Sequence, residues 1–270
     1  MCNICRLCKK NKKLAESHLV PKMFFREIKQ KSITGGMRLI SNPNKRLQDG
    51  IKLPFLCHEC EQRFSKYEKF FSDNYFSQAK KEPLLINEYH TRSDELKYFI
   101  LSVSWRCLQY IYETDTDMLK DFTFEEKKEL ENILEQWRVL LYSENLKEIR
   151  KIQMHLIPTN KLNILDEKYV YDNVAFDFRI DNQENTFKYA YEYIKVPYFI
   201  FLCTVWGNTN HMKQLLVGKT IKITSYNLPY FLKDLIFKHL SNFELSKSQL
   251  SDKQKKFISD KAKRNTLKNK

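Results

Sequence analysis

Cys5-Arg6-Leu7-Cys8 and Cys57-His58-Glu59-Cys60 form two Cys-x-x-Cys pairs near the start of the chain. Each pair can direct two thiolates at one ion, and two pairs complete the tetrahedral sulfur shell of a zinc site. Four protein ligands leave no open position for water, so the predicted zinc is structural. Cys2 has the same spacing to Cys5 as Cys5 has to Cys8. We prefer Cys5 and Cys8 as ligands, because Cys2 lies at a chain end that is prone to fray.

The residues between the two pairs predict a strand, a helix and a returning strand. Residues 14–20 are extended and partly apolar and stop at Pro21, which cannot donate to a β-ladder and often opens a helix. We therefore predict a strand, then a helix over about 21–30. Residues 32–52 contain three turn signals and predict a loop or loose hairpin. Residues 53–56 predict a second strand that leads into the second cysteine pair.

Apolar residues at helical spacing predict three further helices. The first begins inside the second cysteine pair and extends to about residue 78, and the second covers residues 94–113. Thr123-x-x-Glu126 has the pattern of a capping box and predicts the start of the third. We interpret the acidic residues on this third helix as its solvated face rather than as a metal site.

Beyond residue 150 the sequence favours strands. Extended runs rich in β-branched and aromatic residues cover 152–157, 169–180, 186–205 and 215–224 and predict a sheet. Tyr189, Tyr191 and Tyr193 alternate on one face, and we favour core packing over base stacking for them. Residues 228–240 predict a closing helix. Ser251-x-x-Gln254 could cap one more helix, which ends in the basic tail Lys261-Ala262-Lys263-Arg264, a tail polar enough to be disordered when free.

The predicted fold class is therefore α+β in three parts. Residues 1–80 form the zinc-binding element, residues 81–150 a helical region, and residues 151–270 a β-rich region with a closing helix and a basic tail. The first part is the one to which the sequence attaches chemistry.

Positive charge is concentrated at both ends of the chain. The net charge is +14, and residues 1–52 carry thirteen Lys or Arg against three Asp or Glu. Residues 253–270 carry eight against one, whereas residues 112–148 carry eleven acids against five bases. A basic surface around a zinc element indicates a nucleic-acid partner, and DNA is our expectation. A generally Lys-rich proteome is the alternative explanation of these charges.

Several other classes of protein are excluded by the sequence. No run of 18 apolar residues and no signal-peptide core occurs, so we expect a soluble, cytoplasmic protein with no membrane association. Reduced thiols in that compartment suit zinc better than disulfides. The five glycines form neither of the common phosphate-binding loops, so nucleotide-binding folds of those kinds are not expected.

His18 stands where a general base for phosphodiester hydrolysis can lie, at the end of a strand held against a helix that begins at a zinc knuckle. This reaction also needs a divalent ion, which Glu61 together with Ser17 or Glu16 could bind. Mg²⁺ takes few protein ligands and keeps its waters, so a single carboxylate can be sufficient. The alternative is that His18 is a structural histidine or supports the zinc site.

The segments Glu16-Ser17-His18-Leu19-Val20-Pro21 and Leu56-Cys57-His58-Glu59-Cys60-Glu61, together with the first cysteine pair, resemble a known family. They are similar to the HNH endonucleases of the ββα-metal, zinc-knuckle type. The resemblance covers residues 1–75. It implies a structural zinc on the four cysteines, a general base at His18 and a catalytic Mg²⁺ or Mn²⁺.

The chain departs from this family at three positions. Ser17 stands where a metal-binding Asp is common, Lys52 where an Asn is expected, and Glu61 where a His follows the second knuckle. Glu61 remains a suitable ligand for a hard metal, whereas Lys52 could instead meet a phosphate. The loop residues Asn42, Asn44 and Asp49 could supply further contacts. Phosphate contacts are expected from Arg6, Lys9, Lys10, Lys12, Lys13, Lys22 and Arg26.

Three functional hypotheses follow from these patterns. The first is a metal-dependent nuclease. The second is a non-catalytic zinc-knuckle module that binds DNA or RNA through the same basic surface. The third is a regulatory subunit whose later regions dock a protein partner encoded in the same operon, as is common for HNH-like proteins of mobile-element and phage-defence operons.

Overall fold

The computed structural model describes residues 3–81, 88–90, 93–114, 119–120, 122–159, 162, 173–183, 187–207, 210–218, 220–222 and 229–268. The chain is α+β, as predicted, with a four-cysteine cluster near its start, a helical middle and a β-rich part beyond residue 150. Cys2 and parts of three predicted strands, residues 169–172, 186, 219 and 223–224, lie outside the described residues.

The first elements are strand β1 (Leu14–His18) and helix α1 (Lys22–Lys31). Pro21 has extended backbone angles and directly precedes the helix, which therefore begins where the sequence predicts. The strand is shorter than predicted because Leu19 and Val20 leave it to enter the core, where both are buried.

Residues 32–52 contain a two-stranded hairpin, β2 (Met37–Leu39) and β3 (Asn42–Leu47). One predicted turn signal, at residues 42–44, lies inside β3 rather than in the turn. Pro43 is accommodated because a two-stranded ribbon exposes an edge on each strand, where no N–H is needed for a ladder. The register sets Arg38 directly opposite Arg46.

Strand β4 (Lys52–Cys57) pairs antiparallel with β1 and leads without a break into helix α2 (His58–Phe71). The helix continues through a π-helical turn, Ser72–Phe76, into α3 (Ser77–Lys81), slightly beyond the predicted end at residue 78. The strand–helix junction therefore lies within the second cysteine pair, as predicted.

The helical middle consists of α4 (Asp94–Thr114), α5 (Phe124–Ser143) and the short α6 (Leu146–Ile149). The predicted capping box is present, because the Thr123 hydroxyl accepts from Glu126 N while the Glu126 carboxylate accepts from Thr123 N. In the part of the chain that the structure describes, no helix has the length and apolar character required to cross a bilayer.

The later strands are β5 (Glu88–His90), β6 (Met154–Pro158), β7 (Ala175–Gln183), β8 (Phe187–Val196), β9 (Phe199–Trp206) and β10 (Thr220–Lys222). Four of them form an antiparallel sheet in the order β6–β9–β8–β7, and β5 and β10 form a separate pair. Tyr189, Tyr191 and Tyr193 are buried, and Phe231 packs edge-on against the first of them. The core interpretation of the aromatic ladder is therefore confirmed.

One hydrophobic core joins the three parts of the chain through α4. Phe71 of α2 stacks on Phe99 of α4 with ring centroids 4.2 Å apart, and Phe201 of the sheet meets both rings edge-on. Trp105 of α4 donates a hydrogen bond to the Leu134 carbonyl of α5. Most residues of α4 are buried, so this helix is the centre on which the N-terminal four-cysteine element and the sheet both pack.

The C-terminal region forms two helices, α7 (Tyr230–Ser248) and α8 (Asp252–Lys268). Helix α8 begins directly after Ser251, as the capping pattern predicts. The basic tail at residues 261–264 was expected to be disordered when free, but it is part of this helix, which lies against the β2–β3 hairpin and the residues before it. The contacts include Arg38 to Gln254 and Asn265 to the Ile33 carbonyl, and composition alone does not predict these long-range hydrogen bonds.

Glu192 is a fully buried carboxyl in β8, opposite Cys203 of β9. Burial raises its pKa well above the usual range, a smaller opposing effect coming from the Ser104 hydroxyl. At pH values between the pKa of Glu192 in the unfolded chain and its higher pKa in the folded protein, the native state binds more protons than the unfolded state. The free energy of unfolding therefore falls as pH rises through this range.

We expect Glu192→Gln to be more stable than the parent at neutral pH. The advantage should grow by up to about 1.4 kcal/mol per pH unit above pH ~5, because the amide carries no charge to desolvate. Urea unfolding between about pH 5 and pH 8 measures this slope. The exposed change Glu129→Gln is the control, and equal slopes for the parent and Glu192→Gln would contradict the prediction.

Candidate metal centre and His18 site

The four predicted zinc ligands meet in one cluster. Their sulfur atoms all lie within 4.8 Å of one another, and Cys8 Sγ is 3.9 Å from Cys57 Sγ. Four thiolates around zinc at about 2.3 Å require sulfur–sulfur distances of about 3.8 Å, so the cluster can hold a metal such as zinc. Cys5, Cys57 and Cys60 are buried, which separates the site from bulk water.

Local backbone structure directs the sulfurs inwards. The first knuckle closes through hydrogen bonds from Lys9 N to the Cys5 carbonyl and from Cys5 N to the Lys10 carbonyl, with Lys9 in the left-handed region at φ 57°. In the second knuckle, Cys57 ends β4 and Cys60 lies in the first turn of α2. Cys57 N donates to Cys5 Sγ at 3.3 Å, as expected for a thiolate ligand supported by the backbone.

His18 ends strand β1 and contacts the carboxylate of Asp49, a loop residue whose position the sequence did not specify. Its Nε2 lies 3.0 Å from Asp49 Oδ1, and Lys52 Nζ lies 2.7 Å from Asp49 Oδ2. Lys52 is also the cross-strand neighbour of His18 in β4. The three side chains form a compact group, with His18 and Asp49 mostly shielded from solvent.

The local environment keeps Asp49 ionised. Burial alone would raise its pKa, but the close contacts with Lys52 Nζ and His18 Nε2 and the hydrogen bond from Gly50 N outweigh that effect and hold the pKa well below the usual range. Gly50 also allows a close approach, because a side-chain carbon there would lie 2.2 Å from the Phe25 ring. Phe25 in turn stacks beside the His18 ring.

A buried arginine of the scaffold reaches the backbone of His18. Arg106 of α4 donates from Nη1 to the His18 carbonyl at 2.9 Å and from Nη2 to Glu68 of α2 at 2.8 Å. Its Nε donates to the Ser102 carbonyl. The guanidinium is 1% exposed, so the end of β1 is fixed to two helices at once.

The predicted ligands of a catalytic metal are not equivalent. Ser17 is buried, and its hydroxyl accepts from Leu56 N at 3.1 Å and donates to the Ala15 carbonyl at 3.4 Å, so it supports the β1–β4 pair. Glu16 is exposed. Glu61 carries a buried oxygen, Oε1, for which the described residues supply no hydrogen-bond partner.

Of these groups, Glu61 therefore fits a hard cation best, while Ser17 is occupied in the strand pair. The cysteine cluster is the only group of three or more potential side-chain ligands among the described residues. A catalytic ion here would accordingly take few ligands from the protein and keep most of its waters.

The predicted phosphate contacts divide into two sets. Arg6 pairs with Glu113, Lys12 with Glu59, and Lys52 with Asp49, so these three cations are already partly neutralised. The second set is exposed and has no ion pair within the described ranges. It comprises Lys9, Lys10, Lys13, Lys22 and Arg26.

Sequence reasoning missed Asp49 as a member of the His18 group, although it marked the residue as a loop candidate. Asn44, also expected in that loop, lies in β3 and binds the C-terminal region instead, donating to the Gln249 carbonyl and accepting from Ser251 N. Comparisons with protein-family models, with curated proteins and with solved structures gave no match for this chain, so the residues of the site carry the functional argument themselves.

Proposed function

We propose that this chain is a metal-dependent endonuclease of the HNH type that hydrolyses phosphodiester bonds in nucleic acid, with DNA as the expected substrate. The observation that carries the proposal is the contact of His18 Nε2 with Asp49 Oδ1 at 3.0 Å, at the end of β1. A histidine held by a carboxylate beside a cationic surface is the arrangement that water activation requires.

Asp49 determines which nitrogen of His18 can act as the base. A carboxylate only accepts hydrogen bonds, so the short contact with Asp49 Oδ1 favours the imidazole proton on Nε2 and the lone pair on Nδ1. Nδ1 would then take the proton from the attacking water. Lys52 keeps Asp49 ionised, so the carboxylate also stabilises the imidazolium that forms.

The proposal includes two metal ions of different kinds. Zinc on the four cysteines would be structural, because all four positions of its shell are filled by sulfur. Mg²⁺ or Mn²⁺ would be held by Glu61 through its unpartnered oxygen. When bound, the second ion neutralises negative charge on the phosphate and the leaving oxygen.

We expect His18→Ala to reduce cleavage by about 10²- to 10⁴-fold, the usual contribution of a general base. The measurement is nicking of supercoiled plasmid, and cleavage of single-stranded DNA and RNA, with Mg²⁺ or Mn²⁺ at matched zinc content. His58→Ala is the matched control, because His58 is exposed at the start of α2 and should leave cleavage unchanged. Equal cleavage by parent and His18→Ala would remove His18 from the mechanism.

A non-catalytic nucleic-acid-binding module is the second candidate. The hydroxyl of Ser17 is engaged by β4, and this leaves Glu61 as the principal protein ligand for a catalytic ion. This candidate expects salt-sensitive binding and no cleavage with any divalent ion. If the parent and His18→Ala both bound nucleic acid and neither cleaved it, the result would favour the non-catalytic module over the nuclease.

A further inference from the structure

The β2–β3 hairpin and helix α8 together form a basic surface. We call the two elements the hairpin–helix surface. The helix docks through one face: Gln254 accepts from Arg38 at 2.8 Å, Asn265 donates to the Ile33 carbonyl at 2.7 Å, and Phe257 packs under the Arg46 guanidinium.

The opposite face of α8 projects cations into solvent. Lys256 and Lys263, seven residues apart, lie on the side of the helix away from Gln254 and Asn265, whereas Lys253 is four residues before Phe257 and lies at the edge of the docked face. All three are exposed and have no ion pair among the described residues. Arg264 is also exposed beside them.

The hairpin adds positive charge that the described part of the protein does not neutralise. Arg38 and Arg46 are directly opposed in the β2–β3 register, an arrangement of like charges that is unfavourable without a counterion. Partial burial and the charge of Arg46 both lower the pKa of Arg38, and no described carboxylate pairs with either guanidinium. An anionic ligand would relieve this repulsion.

The chemistry of the outward face favours a phosphate backbone over a lipid surface. A helix that binds membranes presents apolar residues to the bilayer, but Phe257 of α8 packs under Arg46, and the outward side of the helix carries Lys256, Asp260 and Lys263. The surface is also close to the His18 site: Asn44, which contacts the start of α8, is five residues from Asp49, at most about 17 Å along an extended chain.

We propose that the hairpin–helix surface is a second nucleic-acid-binding site, which holds backbone phosphates beside the strand that is presented to His18. This inference rests on the proposed function for the identity of the polyanion. The inference concerns binding rather than cleavage, so the binding surface and the nuclease proposal can be disproved independently of each other.

The test is the salt dependence of binding of the full chain to a short DNA duplex. We expect the triple variant Lys253→Gln, Lys256→Gln and Lys263→Gln to reduce the slope of log affinity against log salt by about 2 to 3, because each lost contact removes roughly 0.9. Three exposed lysines elsewhere provide the matched control of equal charge, Lys120→Gln, Lys128→Gln and Lys147→Gln, which should change the slope by less than ~1.

Each outcome decides a separate point. A reduced slope in the α8 variant alone supports the surface, whether or not the parent cleaves DNA, so failure of the nuclease proposal leaves it standing. Equal slopes for the α8 variant and its control overturn it. Binding of the parent to vesicles containing anionic lipid, without binding to the duplex, also overturns it.

Discussion

Cys60→Ser is expected to abolish zinc binding and to unfold the N-terminal element. Structural zinc sites contribute about 10 to 16 kcal/mol of apparent binding free energy, which is folding free energy when the site is absent from the unfolded chain. Here the ion would link the first knuckle, the end of β4 and the first turn of α2. Without the ion, three cysteine thiols would remain in a largely buried cluster with no metal to bind.

The loss of stability in Cys60→Ser should extend beyond the cysteine cluster. The β1–β4 pair and α2 are positioned by the two knuckles, and Phe71 of α2 contributes to the core that includes Phe99 and Phe201. We therefore expect a large fall in thermal midpoint for Cys60→Ser, and the same fall when a chelator removes zinc from the parent. Zinc content measured by elemental analysis and melting followed by circular dichroism test both expectations.

Cys107→Ser is the matched control for this experiment. Cys107 is a buried cysteine of α4 outside the cluster, so its replacement should cost only about 1 to 3 kcal/mol for a buried hydroxyl. Its zinc content should equal that of the parent. Stoichiometric zinc in Cys60→Ser, or parent protein that melts identically with and without chelator, would contradict the structural-zinc proposal.

The parts of the fold that were predictable are those specified by local sequence. The Cys-x-x-Cys spacing, Pro21 before α1 and the Thr123–Glu126 capping box each act within a few residues, and each has its expected place in the structure. The alternation of Tyr189, Tyr191 and Tyr193 is likewise a property of one strand, and it identified a buried face correctly.

The contacts that complete the site depend on chain segments that are far apart. Asp49 approaches His18 because the β2–β3 hairpin returns the loop to the end of β1, and the sequence specifies neither the length of β3 nor the direction of that loop. Arg106 lies 88 residues from His18 in sequence. Its role depends on how α4 packs on α2, which periodicity alone does not predict.

Arg106→Met is expected to destabilise the fold by about 3 to 5 kcal/mol, the usual effect of breaking a buried charged network by removing one partner. The change deletes hydrogen bonds to the His18 carbonyl, to the Ser102 carbonyl and to Glu68. Methionine can fill much of the space but cannot donate. The exposed change Arg150→Met, which removes the ion pair with Asp94, should cost less than about 1 kcal/mol and is the control.

Arg106 is also expected to act as a positioning residue for the proposed reaction, because it holds the backbone of His18 without contacting the substrate surface. Under conditions in which Arg106→Met is still folded, kcat for DNA cleavage should fall while KM stays near the parent value, since the exposed lysines are untouched. Glu68→Gln should keep the hydrogen bond of Arg106 to His18 and most of the activity.

If Arg106→Met lost stability but retained the parent kcat when folded, the role of Arg106 would be confined to holding α2 and β1 against α4. A fall in kcat alone would mean that the helical middle of the chain positions the histidine, which gives this region a part in the site that its sequence does not reveal.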